Sequence, residues 1–161
     1  MGVNIATLHY YFPTKESLIR AVLDHAMNRF RTTLEPHGSP AAQLRNYLRA
    51  VRSLLVEEPE LGAVMAELAL RSVRDEKIRT ILDEMYDLWH LTLRGLLRRA
   101  VREGGLRAEI DSDAVAALIV STLTSMTLPV MADPARGDRA LRQLEVWLGV
   151  APSRVRNKSS N

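Results

Sequence analysis

The stretch GVNIATLHYYFPTKESL, residues 2–18, decides how this chain is read. Beyond it, Leu18, Ile19, Val22, Leu23, Ala26, Met27 and Phe30 recur at the spacing of one helix face. Thr14, after Pro13, reads as an N-cap, and Glu16 lies in the first turn, where the helix dipole favours a carboxylate. Ser17 stands where a full capping box carries Glu or Gln. The stretch is therefore a short helix, a turn at Phe12–Pro13 and a long helix starting at Thr14.

Helical periodicity continues outward from there, with no sustained strand-like alternation. PHGSP at 36–40 is a breaker cluster. A helix is expected from about Pro40 to Glu57, with Leu44, Tyr47, Leu48, Val51, Leu54 and Leu55 inward. EEPEL at 57–61 is a joint, and Pro59 suits the first turn of the next helix, which carries Leu61, Val64, Met65 and Leu68 to about Leu70. The longest periodic segment runs from Asp75 to about Glu103. Its stripe is Ile78, Ile81, Leu82, Met85, Leu88, Trp89, Leu93, Leu96, Leu97, Ala100 and Val101, and Gly104–Gly105 ends it. Asp111 or Ser112 caps an uncharged helix reaching about Leu128. After the loop PVMADPARGD, a last helix spans about Asp138 to Leu148. The reading is all-α, with about seven helices and no repeat.

Composition narrows the function. The 161 residues suit one domain-sized core, and without Cys there is no disulfide, thiolate metal site or cysteine nucleophile. No signal peptide is visible, and a cytoplasmic location fits. The net charge of +3 sits in the tail, on Arg154, Arg156 and Lys158, leaving residues 1–151 balanced. A neutral body makes no broad field for DNA, so any DNA contact must be local. Residues 114–132 hold no charge, but six Ser, Thr and Pro residues interrupt them, which argues for a buried bundle helix rather than a membrane span.

The opening stretch resembles the end of the helix-turn-helix of TetR-family transcriptional regulators. Gly2, Val3, Thr7, Leu8, Tyr11, Phe12, Thr14, Lys15, Glu16 and Leu18 fall in register with that family's pattern, while Asn4 replaces the usual Ser and His9 the usual Tyr. The resemblance implies that Asn4, Thr7, His9, Tyr10, Tyr11 and Lys15 face DNA. Their planar or short polar side chains suit a major groove, and Lys15 with the adjacent N–H groups suits a phosphate. The bland alternative is that Tyr10, Tyr11 and Phe12 pack as an aromatic cluster. In the family, further helices precede this motif. The expectation is a form shortened within its DNA-binding domain, with DNA binding impaired in the chain as given.

The resemblance also implies a TetR-like helical bundle whose last two long helices pair with a second copy as a four-helix bundle, giving a homodimer. Residues 1–30 are then the remnant of the DNA-binding domain and its connecting helix, 31–151 the effector-binding and dimerisation domain, and 152–161 a disordered tail. In the uncharged helix one face holds Val115, Leu118, Ile119, Thr122 and Met126, and a helix with no charged face is expected to be buried all round. A small-molecule effector, apolar or aromatic, is expected between the helices. Leu55, Met65, Leu68, Met85, Trp89, Thr122 and Met126 are its candidate lining, backed by Met27.

No catalytic motif accompanies this. Glu84-x-x-Asp87-x-x-His90 occurs once and on the solvated side, no phosphate-cradling glycine loop is present, and the Ser and Thr residues lack a recognisable base. Neither enzyme activity nor a metal or cofactor is expected. The Arg94, Arg98, Arg99, Arg102 face reads as a solvated helix surface. The expected function is a ligand-responsive regulator acting as a repressor on operator DNA. The alternative is a non-DNA-binding protein that dimerises with itself or a full-length relative.

Overall fold

In the computed structural model the chain is described at residues 10–32, 37–126 and 133–150. The side chains of residues 26, 27, 30–32, 55 and 134 lie outside that description. Six helices follow one another: α1 (Lys15–Thr32), α2 (Pro40–Glu57), α3 (Pro59–Ser72), α4 (Glu76–Arg102), α5 (Ser112–Ser125) and α6 (Pro134–Leu148). The described residues form an all-α bundle. Of the further helix expected in the opening stretch, only Tyr10 and Tyr11 are described, and both are helical.

Each helix start has a local cause. At α1, Ser17 N–H donates to Thr14 Oγ1 at 3.0 Å and Thr14 N–H donates to Ser17 Oγ at 3.2 Å. Serine thus closes the reciprocal pair in place of the usual Glu or Gln. Ser39 Oγ accepts from Ala42 N–H ahead of α2, where Pro40 costs no hydrogen bond in the first turn. Asp75 caps α4 through Lys77 and Ile78 N–H, and Asp111 caps α5 through Asp113 and Ala114 N–H. Asp133 with Pro134 starts α6 a turn before the expected Asp138. Gly104 and Gly149, both at φ 72°, follow the ends of α4 and α6 in the left-handed conformation that glycine takes without strain.

The long α4 is the spine, packing against α1, α2, α3 and most extensively α5. Two apolar clusters lie along it. The first joins Ile19 and Leu23 of α1, Leu68 of α3 and Ile78, Ile81, Leu82 and Met85 of α4. The second joins α2, the rest of α4, α5 and α6 around Tyr47, Leu97, Ile119 and Leu141. Tyr86 packs against both. The inward set expected for α2 holds at Leu44, Tyr47, Leu48, Val51 and Leu54; the Leu55 side chain lies outside the described residues.

One expectation fails, and α3 and α5 each leave apolar side chains exposed. Leu88, assigned to the α4 stripe, is 56% exposed, because it sits a quarter-turn off the line from Met85 to Trp89 to Leu93. Val64 of α3 is exposed as well. The uncharged helix α5 is not covered all round: Ser112, Ala116, Ile119 and Leu123 are buried, while Ala114, Ala117, Leu118, Ser121 and Ser125 are exposed. Lack of charge marked a helix that avoids ions on both faces, but within one chain only one face finds a neighbour.

Candidate functional site

At the amino-terminal end, Tyr10 and Tyr11 are exposed, and their rings meet edge to face at 5.3 Å. Neither belongs to the two apolar clusters of the bundle. Phe12 is half-buried beside them. Lys15 is exposed at the start of α1, and its Nζ lies 3.8 Å from Asp75 Oδ2. Asn4, Thr7 and His9 lie outside the described residues. Lys15 also borders an open depression of about 590 Å³ lined by Leu70, Arg71, Val73, Arg74 and Asp75.

Three cross-helix ion pairs bind α1 to α4: Lys15–Asp75, Glu16–Lys77 at 3.1 Å and Arg20–Glu84 at 2.7 Å. A hydrogen bond from its own backbone N–H in the first turn, aided by the Lys77 ammonium, holds the Glu16 carboxyl below the usual carboxylate range. Together they fasten the helix that leads out of the Tyr10–Tyr11 segment to the spine.

The expected effector lining is divided between the two clusters. Met65, Leu68 and Met85 belong to the first, Trp89 and Met126 to the second. Met85 and Trp89 are successive turns of one helix face, so the two sets adjoin at that point. Thr122 is half-buried and donates its hydroxyl to Leu118 O at 2.8 Å. Met126 presses against α6, where a Cβ on Gly137 would lie 3.1 Å from its side-chain atoms.

Polar groups gather where the clusters meet. Trp89 Nε1–H donates to the Tyr47 hydroxyl, and the Tyr86 and Trp89 rings stack with centroids 6.3 Å apart and planes 21° apart. Burial pushes the Tyr47 phenol well above the ordinary tyrosine range, against the opposing pull of the Trp89 hydrogen bond. Burial also raises Tyr86, opposed by a side-chain hydrogen bond with Thr124. Residue spacing marks Tyr47 as inward core and gives Tyr86 no role. A usable signal was present: an inward Tyr on one helix and an inward Trp on another each bring a polar atom that must be partnered.

The last two helices leave small and apolar side chains uncovered. Ala114, Ala117, Leu118, Ser121 and Ser125 of α5 and Val146 and Trp147 of α6 are exposed, Trp147 at 62%.

Residues 34–144 match the family model described as Tetracyclin repressor-like, C-terminal domain. The chain belongs to the TetR family. Solved structures share its fold. Salmonella enterica GusR aligns over 91% of this chain and 79% of its own at a TM-score of 0.71 and 21% identity. A TetR transcriptional regulator from Chloroflexus aurantiacus J-10-fl aligns over 89% and 76%, at 0.73 and 22%. The ketosteroid transcriptional regulator KstR2 of Mycobacterium tuberculosis aligns over 92% and 78%, at 0.64 and 19%. No curated protein matches by sequence.

The Chloroflexus and Mycobacterium neighbours are named as transcriptional regulators. Glu84 pairs with Arg20, and the His90 ring lies 3.2 Å from Asp113 O. Among the described residues no cluster of three metal-binding side chains occurs, and no helix is long and apolar enough to cross a membrane. The TetR assignment rests on most of the chain, well beyond the opening motif.

Proposed function

We propose that this chain is a ligand-responsive TetR regulator that acts in the cytoplasm as a homodimer and represses transcription until a small apolar or aromatic effector binds. The observation that carries the reading is the junction on α4. Met85, Tyr86 and Trp89 lie where two clusters meet, and the same helix is tied by Arg20–Glu84 to the helix adjoining Tyr10 and Tyr11. A molecule wedged between the clusters favours one position of α4, and a ligand shifts such an equilibrium by its differential affinity for the two positions. The ion pairs then pass the displacement to α1 and the DNA-facing residues Asn4, Thr7, His9, Tyr10, Tyr11 and Lys15. The exposed side chains of α5 and α6 supply the face on which a second copy packs, setting the spacing of two reading heads.

The test is a thermal-shift screen of apolar, aromatic and charged compounds, followed by a reporter under the gene's own promoter. An uncharged apolar or aromatic compound is expected to raise the melting midpoint and to increase expression from the promoter. Hits confined to charged compounds, or hits that leave the reporter unchanged, overturn the reading.

A further inference from the structure

The Tyr47 hydroxyl lies in the larger cluster with part of its hydrogen-bonding capacity used. Its ring is 1% exposed. The oxygen accepts from Trp89 Nε1–H, which fills one lone-pair direction. A phenol also carries one hydrogen to give. Among the described residues no acceptor receives it, and the cluster around it is otherwise carbon: Leu44, Leu48, Val51, Leu93, Ile119 and Leu123. A buried donor with no acceptor is costly, and phenylalanine would fill the same volume without that cost.

The surroundings say what acceptor suits. The Trp89 indole, held by its bond to Tyr47 and stacked on Tyr86, forms a flat aromatic wall beside the hydroxyl. The side chains clustered with Tyr47 are apolar and aromatic and the buried charge of α6 is a carboxylate, Glu145, so an anionic ligand would be desolvated there without a counter-ion. A ligand hydroxyl would bring a hydrogen of its own into the same apolar setting. A carbonyl brings only lone pairs.

We propose that the effector is an uncharged, flat, largely apolar molecule bearing a carbonyl-type oxygen, and that Tyr47 recognises it by donating its hydroxyl hydrogen while Trp89 and Tyr86 supply the stacking wall. This rests on the reading that an apolar effector enters between the two clusters, and adds its polar determinant. Tyr47 is then a specificity residue: a hydrocarbon of the same shape fits the wall but leaves the phenol hydrogen unpaired.

The test uses two probes of matched shape, acetylnaphthalene and isopropenylnaphthalene, in which CH2 replaces the carbonyl oxygen. Their affinities for the wild-type chain and for Tyr47→Phe are measured by calorimetry. Comparing the two proteins for each probe cancels the probes' different hydration. Tyr47→Phe is expected to weaken acetylnaphthalene about tenfold and to leave isopropenylnaphthalene unchanged or tighter. Equal weakening of both assigns Tyr47 a packing role, and no weakening of either shows its hydrogen is satisfied elsewhere; each outcome overturns the proposal. If neither probe binds the wild type, the apolar-effector reading fails and takes this one with it. Should Tyr47→Phe not fold, the infrared carbonyl stretch of acetylnaphthalene bound to the wild type decides. A shift to lower frequency than in hexane supports the hydrogen bond, and an unshifted band overturns it.

Discussion

Arg20 Nη1 and Glu84 Oε2 meet at 2.7 Å, joining α1 to α4 across 64 residues of sequence. Both side chains are half exposed, so the pair adds little to stability: a double-mutant cycle with Arg20→Ala and Glu84→Ala is expected to give less than about 1 kcal/mol. The coupling should shrink further when the denaturation series is repeated at high salt. A stability effect above that bound would mean the pair is part of the core rather than a fastening between two moving parts.

Two leucines of the same helix separate stripe from surface. Leu97 is 0% exposed and Leu88 is 56% exposed. Leu97→Ala should cost about 3 kcal/mol in urea unfolding at fixed protein concentration. Leu88→Ala should stay within about 0.5 kcal/mol.

Glycines at the two ends of the same range behave oppositely. A Cβ on Gly105 would lie 2.9 Å from the Ala41 Cβ, a contact that no rotamer change relieves. Gly105→Ala is expected to destabilise by about 1–3 kcal/mol. Gly95, inside α4 with no atom within 4 Å of its would-be Cβ, should gain about 0.5–1 kcal/mol as alanine. Parallel melting curves decide both.

Alkaline titration should find Tyr47 silent in the native protein and Tyr86 ionising later than an ordinary tyrosine. Burial raises both phenols, so the folded state holds protons that the unfolded chain releases above its ordinary value of 10.0. Their contribution is complete below that value and is lost as pH climbs past it. Phenolate absorbance from Tyr47 should appear only together with loss of helical circular dichroism. At the acid end the sign reverses: Glu16 is lowered from 4.5, so its support is present above that value and fades as pH drops below it. Glu16→Gln should flatten that limb slightly.

Charge placed among the uncovered side chains of α5 tests the pairing. Leu118→Glu is expected to turn dimers into monomers by light scattering, with helical content retained, because Leu118 touches no core in its own chain. Persistent dimers would put the contact on another surface.

Much of this architecture could be read from residue spacing. Helix α2 begins and ends where Ser39-Pro40 and the Glu57–Pro59 joint place it, since caps and prolines act within one turn of chain. The α4 stripe is right except at Leu88, where an apolar side chain sits just off the line that periodicity alone draws too wide. Which face of α5 turns inward was not legible: small and uncharged residues occupy both sides, and only the neighbouring helices choose. The candidate lining suffered similarly. Met85 and Trp89 share one helix face in sequence, yet the bundle divides them, Met85 going with Met65 and Leu68 and Trp89 with Met126. Tyr47 was legible as inward but not as a recognition group, because its significance depends on what Trp89 already occupies.

The placement of the two tryptophans makes the molecule its own optical instrument. Trp89 is enclosed against Tyr47, whereas Trp147 faces outward on α6. Emission from the first reports what enters the interior, and emission from the second moves to the blue when another subunit covers it. With Trp147→Phe and Trp89→Phe recorded side by side, the order in which the two events occur becomes measurable in real time.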